Sequence, residues 1–328
     1  MATQRIKQDP PMSKNWHWHP DLPIPMSPIM SWPPRPIATI KWLASYWLAI
    51  SAMTMEFALA WLVHLFLQPD LAAMKTLELG WISQLWCRNM VLLILVAGGL
   101  HLWFYTMNSQ QKQRKFDPRP LARNNRKFLF GDQVRDNMFW SLGSGVLFWS
   151  LFETGYYWAA ANGHVPLMAW VENPFWFALL FVLIPIWSSF HFYVIHRLLH
   201  WQPLYKLAHG LHHRNINVGP WSGISMHPIE HLMYFSSVMI HAVVPSSPVH
   251  VLFHLYVQGL NPAFSHSGYD GVMLGDKKHL ETGDFFHQLH HRHINCNYGT
   301  IEMPWDRLFG TFHDGTGIEG EAESKPSA

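Results

Sequence analysis

The chain has 328 residues, of which 13% are charged, and its formal net charge is +2 when histidine is neutral. It is poorer in charge than an ordinary soluble domain, in which about a quarter of the residues are charged, and it carries 18 tryptophans and 21 phenylalanines. The two cysteines, Cys87 and Cys296, lie far apart in unlike surroundings, which argues against a disulfide framework.

Residues 1–36 are rich in proline and tryptophan. A helix cannot continue through so many prolines, because each lacks a backbone donor and clashes with the preceding turn. No apolar core precedes a small-residue cleavage site, so a cleavable signal peptide is not expected. We expect an extended cytosolic arm that lies near the membrane surface.

Four apolar segments are long enough to cross a bilayer core, which needs about 20 residues. These segments are residues 41–67, 81–105, 138–161 and 174–195. The loop 106–137 holds eight Lys or Arg and three acids, whereas the loop 162–173 holds no Lys or Arg. By the positive-inside rule, the N-terminus, the basic loop and everything after the fourth span face the cytoplasm. The sequence therefore predicts an all-α integral membrane protein with about four transmembrane helices and a cytosolic His-rich helical cap.

This pattern predicts four regions. The arm (1–36) is followed by the first two spans with the basic loop (37–137), then by a catalytic region (138–313) with the other two spans, and by a disordered tail (314–328). Glu56, in the first span, is an acid within the membrane and hence a functional suspect, but the favoured interpretation is that it faces other helices or a water-filled cavity.

Histidine is concentrated late in the chain: 18 of the 23 histidines fall between residues 191 and 313. Within this stretch they form three boxes with spacings of three and four, which place side chains on one face of a helix. The boxes are His196 with His200, then His209 with His212 and His213, then His287 with His290 and His291. Imidazoles this dense repel when protonated and need a cation or hydrogen-bond partners when neutral. The boxes predict a metal centre.

Two further stretches carry histidines. In HPIEH, His227 and His231 are four apart and fit the H-x-x-E-H zinc-protease signature, but a protease would leave the other boxes unexplained. Residues 232–260 are apolar but interrupted by PSSP at 245–248, which indicates a re-entrant or interfacial helical hairpin. The histidines of that hairpin are expected to be structural.

The order of the three boxes, followed by NYG at 297–299 and WDRLFGT at 305–311, resembles the sterol desaturase/fatty acid hydroxylase superfamily over about residues 140–313. The HPIEH stretch and SHSG at 265–268 are also similar to sterol-processing and bacterial branches of that family. The resemblance implies an integral-membrane, non-haem di-metal oxygenase, usually with two iron ions, that uses O2 as co-substrate. One departure is His191, since many members carry Asp five residues before the first box.

Two ions with four or five imidazoles each would use eight to ten histidines. The expected metal ligands are His196, His200, His209, His212, His213, His266, His287, His290 and His291, with His191, His227 and His231 as possible ligands or as residues supporting the ligands. Imidazole suits iron, zinc and copper, so ligand type alone leaves zinc open as a substitute for iron.

The chain has no G-x-G-x-x-G or G-x-x-x-x-G-K-[ST] fingerprint for a nucleotide cofactor. Electrons are therefore expected from a partner such as cytochrome b5 or a ferredoxin, and no nucleic-acid partner is expected. The basic loop 106–137 is a candidate docking surface for an acidic carrier, but a topology signal with lipid-headgroup contacts is an equally good interpretation.

The expected function is O2-dependent hydroxylation of a C–H bond of a lipid or sterol, with desaturation as the other outcome of the same chemistry. A non-oxidative membrane metalloprotein, such as a zinc hydrolase or a metal store, is the alternative. The expected location is an integral membrane position with a cytosolic catalytic face, in the endoplasmic reticulum if the organism is eukaryotic and in the inner membrane if it is bacterial.

Overall fold

The computed structural model describes residues 16–29, 31–48 and 50–317. The first part of the predicted arm and most of the predicted tail lie outside the described residues.

The described chain is built from α-helices and one β-hairpin. In chain order the helices are α1 (Pro36–Leu48), α2 (Ala52–Phe66), α3 (Leu79–Leu93), α4 (Gly99–His101), α5 (Gln133–Trp140), α6 (Val146–Ala161), α7 (Pro174–Leu199), α8 (Gln202–Leu207), α9 (Pro228–Phe235), α10 (Pro248–Gly259), α11 (Asn261–Ser265), α12 (Phe285–His293) and α13 (Trp305–Leu308).

The hairpin consists of β1 (Gly271–Leu274) and β2 (Lys277–Glu281), which pair antiparallel. An all-α fold was predicted, so the hairpin is a correction. Its two-residue connection begins at Gly275, which has a φ of 62°, a value that favours glycine in such a turn.

Among the described residues, two helices are long and apolar enough to cross a membrane. One is Leu79–Thr106, which runs through α3, α4 and two short π-helical segments, and the other is α7. The predicted first span, 41–67, is wrong as a single helix. The helix α1 ends within this stretch, and a capping box starts the separate helix α2. In this box the Ser51 side chain accepts from the Thr54 amide at 3.2 Å. The predicted third span corresponds to α5, a π-helical turn and α6, which do not meet the same criterion. The four-span arrangement stays a prediction.

The predicted apolar hairpin is helical, and α10 is its most buried part. Leu252 and Leu255 have no exposed surface, and α10 packs against α2, α6 and α7. Two of its histidines belong to a buried chain of hydrogen bonds: Ser246 lies 2.7 Å from His241 Nδ1, His241 Nε2 lies 3.0 Å from His254 Nδ1, and His254 Nε2 lies 2.9 Å from Ser237. Since every ring nitrogen in that chain has a partner, its arrangement supports the structural role expected for these histidines.

The described part of the N-terminal arm packs on α12. Trp16 is 1% exposed, and its ring meets Phe285 edge-on at 4.8 Å between centroids. The Arg292 guanidinium lies 3.7 Å from the centroid of the Trp16 ring and is bound by Asp117 at 2.6 Å. The arm and the loop before α5 therefore clamp the helix that carries the third histidine box.

Candidate metal centre

Nine histidine side chains form two adjacent groups. Within each group, one ring nitrogen from every residue lies within 4.8 Å of the others. The five-His group is His196, His200, His209, His213 and His290, and the four-His group is His212, His266, His287 and His291. These nine are the residues named from the sequence as expected ligands.

Four elements bring the groups together. The first box is the C-terminal end of α7, the third lies in α12, and His266 directly follows α11. The second box, expected on an α-helix, is instead a 3-10 helix, His209–Arg214. Consecutive side chains point about 100° apart on an α-helix and about 120° apart on a 3-10 helix, so His212 and His213 enter different groups, as do His290 and His291.

The Nε2 atoms face one another inside each group. In the four-His group, His266, His287 and His291 form a triangle with Nε2 separations of 3.1, 3.2 and 3.2 Å. In the five-His group, Nε2 of His213 lies 3.1 Å from that of His290. A hydrogen bond between two of these nitrogens needs a proton on one of them, so three neutral imidazoles cannot form a good hydrogen bond at every contact. One cation, by contrast, can bind the lone pairs of all three rings.

The opposite ring nitrogens fix the tautomers. Nδ1 of His196 donates to the Tyr298 carbonyl at 2.6 Å, and Nδ1 of His290 donates to the Cys296 carbonyl at 2.6 Å. Nδ1 of His266 donates to the Pro262 carbonyl at 2.9 Å, and Nδ1 of His212 donates to the Ser225 carbonyl at 3.3 Å. Because a carbonyl can only accept, each of these neutral rings presents a bare Nε2 lone pair to its group. This is the usual arrangement of metal-binding histidines.

Burial keeps these rings neutral. It lowers the pKa of His212 to about 4, and it lowers the pKa of His209, His213 and His290 well below the ordinary value, with neighbouring imidazoles lowering them further. Neutral imidazole is the form that binds metal. The donor set and its protonation therefore fit two metal ions.

One carboxylate supports the five-His group. Glu230 Oε1 lies 2.7 Å from His209 Nδ1, and both side chains are buried. Burial raises the pKa of this carboxyl and so favours its neutral form. A positive charge on the far side of His209 would favour the ionised form instead. Sequence reasoning did not assign this role, although Glu230 is the acid of the HPIEH motif.

The NYG and WDRLFGT motifs hold the first box in place. Asp306 accepts from the amides of Tyr298 and Gly299, both at 2.7 Å, and from the Thr311 hydroxyl at 2.6 Å. A Cβ at residue 299 would lie 2.8 Å from Asp306 Oδ2, so a side chain there would displace the Asp306 carboxylate. The clamp fixes the Tyr298 carbonyl that orients His196, a role the sequence alone did not reveal.

The three possible additional ligands lie outside both groups. His191 Nε2 bonds Ser236 at 3.1 Å. His231 uses both ring nitrogens, on Ser144 at 2.9 Å and on the Ile224 carbonyl at 3.0 Å. His227 caps α9, where its Nδ1 accepts from a backbone amide. The H-x-x-E-H protease interpretation is therefore wrong for the structure, because its two histidines do not converge.

Known proteins resemble part of this chain. The sequence model of the fatty acid hydroxylase family matches residues 181–311. A Delta(7)-sterol 5(6)-desaturase of Eremothecium gossypii is 31% identical over 137 residues, which are 42% of this chain and 37% of that protein. Methylsterol monooxygenase 1 of Gallus gallus is 34% identical over 149 residues, which are 43% of this chain and 49% of that protein.

The chain spans less than half the length of these curated relatives. No solved structure matches it. The matched residues 181–311 contain both histidine groups, Glu230 and the Asp306 clamp. Over this segment, the chain is similar to the fatty acid hydroxylase family and to the sterol desaturase and methylsterol monooxygenase named above.

Proposed function

We propose that this protein is a membrane-bound, non-haem di-iron oxidoreductase that hydroxylates or desaturates a C–H bond of a lipid or sterol, using O2 and external electrons. The observation that carries the proposal is the pair of adjacent, buried groups made only of histidine, inside the segment that the family model matches. Soluble di-iron bundles use mainly carboxylate ligands, so this all-imidazole set is a distinct solution.

In this proposal each group holds one ion. The five-His group binds one through His196, His200, His209, His213 and His290, and the four-His group binds the other through His212, His266, His287 and His291. When bound, the two ions supply the redox chemistry that activates O2 toward an unactivated C–H bond. The backbone carbonyls and Glu230 orient the imidazoles, so the ligand geometry is set before metal arrives.

An apolar side chain touches both groups. The Phe192 ring stacks on His196 at 4.8 Å between centroids and lies 6.3 Å from the His287 ring. It also meets Tyr234 at 6.0 Å and is only partly buried. This face offers a hydrocarbon a water-poor approach to the junction between the two groups.

The substrate class follows from the relatives, whose names describe a sterol desaturase and a methylsterol monooxygenase. Two candidate spans support a membrane position, and the charge of the 106–137 loop supports a cytosolic face for the metal centre.

Contacts of the second box support electron entry near the basic loop. Arg214, next to His213, donates to the Lys127 carbonyl at 2.8 Å and pairs with Asp136 at 3.0 Å. An acidic carrier such as cytochrome b5 or a ferredoxin would dock on the exposed basic residues of this loop. The loop contacts the segment that carries His213 of the five-His group.

The test uses the purified protein in lipid nanodiscs. Metal content is measured first, and we expect about two iron ions per chain. O2 uptake and product mass are then followed with a sterol mixture and reduced cytochrome b5, with a His213→Ala variant as the control. Iron-dependent O2 uptake that yields a product heavier by one oxygen, or lighter by two hydrogens, supports the proposal. Bound zinc with no O2 uptake under any electron donor would contradict it and favour a hydrolase or a metal store.

A further inference from the structure

The two histidine groups differ in how completely they are covered. All four members of the four-His group are buried, whereas the five-His group has one partly exposed member, His200. Nδ1 of His200 makes no hydrogen bond with another described residue, while the same atom has a partner in His196, His209 and His290. His200 is therefore the member through which water reaches the five-His group most readily.

One aromatic ring lies over this exposed side. Between centroids, the Tyr205 ring lies 5.6 Å from the ring of His200, 6.0 Å from that of His209 and 5.7 Å from that of His213. Tyr205 is itself only partly buried, so its ring covers three members of the five-His group from the protein surface. Its ring contacts within the described chain include no member of the four-His group.

The helix that carries Tyr205 buries little surface. α8 (Gln202–Leu207) has six residues, none of which is buried, and it packs mainly on its neighbours in the chain, the end of α7 and the 3-10 helix His209–Arg214. Its N-cap residue, Trp201, makes no side-chain capping bond and is 61% exposed. Segments that bury little surface open at a much lower free energy than the whole protein unfolds. We therefore expect α8 to open while the core stays folded.

The four-His group is covered by better-packed elements. His287 and His291 lie on α12, in which Leu289 has no exposed surface. The same helix is held by the N-terminal arm, through the contact between the Trp16 ring and Arg292. Opening this side would expose a buried apolar cluster, which costs more than opening a helix without buried residues. The two groups therefore differ in the free energy needed to reach them.

The other partly buried side chain at the site suits a different visitor. The Phe192 ring touches both groups, but its surface is apolar. A hydrated cation loses its water at such a surface without gaining polar partners, so this face disfavours a metal ion. The side that Tyr205 covers leads instead to the imidazole of His200.

We propose that α8 is a lid on the five-His group, and that a metal ion enters and leaves this group past Tyr205 and His200 when the lid opens. The four-His group stays closed during this motion, so its ion exchanges more slowly. The inference rests on that part of the proposed function in which each group holds one ion. It adds an order to metal exchange, in which the ion of the five-His group leaves first.

The experiment measures metal release and not turnover. The full-length protein in lipid nanodiscs is loaded with Fe²⁺ under nitrogen, and release to a colour-forming Fe²⁺ chelator is followed over time. We expect a fast and a slow phase of equal amplitude. His213→Ala should remove the fast phase and His212→Ala the slow phase, because the two residues belong to different groups.

Two variants of the lid should change the fast phase in opposite directions. Tyr205→Ala should accelerate it about five- to thirtyfold, since loss of the ring packing favours the open state. Trp201→Ser gives α8 a side-chain N-cap and removes an exposed ring, so it should slow the fast phase about fivefold. The slow phase should be unchanged in both variants. Tyr205→Phe is the matched control, because it keeps the ring and should release iron as the wild type does.

Each other outcome contradicts a stated part of the reasoning. Release of both ions in a single phase would overturn the lid and leave the two-ion site of the proposed function intact. Equal acceleration of both phases by Tyr205→Ala would also overturn the lid, because it would show general loosening of the protein. At most one bound ion per chain at saturation would overturn the proposed function and the lid together. The expected release pattern in a protein that consumes no O2 would uphold the lid and overturn the proposed function.

Discussion

Replacing Glu230 with leucine should weaken metal binding at the five-His group and spare the four-His group. The Glu230 carboxylate is 2.7 Å from His209 Nδ1, and both side chains are buried, so water cannot take over this bond. A buried donor left without a partner costs about 1–3 kcal/mol. Loss of such an outer partner typically lowers metal affinity about 10- to 100-fold, which is about 1.4–2.8 kcal/mol. The two estimates agree, so we expect a decrease in that range.

The assay is a competition titration with a chelator, combined with metal analysis of the purified protein. Glu230→Gln is the matched control, because the amide oxygen can still accept from His209 Nδ1, and it should retain most of the affinity. Glu230→Leu should keep one tightly held ion and lose the other at a lower chelator concentration. If Glu230→Leu held both ions as tightly as the wild type, the carboxylate would not orient His209, and the reasoning would fail.

Three other perturbations follow from the structure. His212→Ala and His213→Ala change neighbouring residues, but each variant should lose a different ion because the two residues belong to different groups. Metal-specific spectra of the two variants should therefore differ, and identical spectra would contradict the two-group arrangement. Trp16→Ala removes a buried ring from the clamp on α12 and should cost about 3–5 kcal/mol, seen as a lower midpoint of thermal unfolding in detergent, whereas Trp16→Phe should cost less. Single cysteines in 106–137 should react only with a reagent on the cytosolic side, and those in 162–173 only from the other side; a reversed pattern would refute the predicted orientation.

The sequence singled out eight of the nine clustered histidines because the spacing within each box is a local property, whereas His266 lies in no box and was named from the number of ligands that two ions would need. Residues three or four apart share a helical face whatever the rest of the chain does. The division into two groups could not be predicted, since it depends on how α7, α11 and α12 meet. His227 and His231 show the limit of the same rule: they are also four apart, but His227 bonds a backbone amide, and His231 bonds a serine and a carbonyl.

Residues that orient the ligands were harder to identify. Glu230 bonds a histidine in a distant segment of the sequence, and Asp306 acts by fixing a segment whose backbone carbonyl orients a histidine. Neither kind of contact leaves a periodic pattern in the sequence.

The predicted first span failed for a local reason, because Ser51 and Thr54 form a capping box that starts a new helix within an apolar stretch. The helix of the fourth predicted span, α7, continues to Leu199, four residues beyond the predicted end at residue 195.

The clamp between the arm and α12 has a consequence for the order of events during synthesis. Trp16 emerges from the ribosome before every histidine of the site, but its partner Arg292 emerges only after the last of them, His291. About 95 residues separate His196 from His291, which at about 5–20 residues per second corresponds to about 5–20 s of elongation. During that interval the early histidines are available to any metal ion, while the four-His group lacks most of its members. Both groups can therefore be complete only after His291 has emerged, and the arm can close over α12 only after that point.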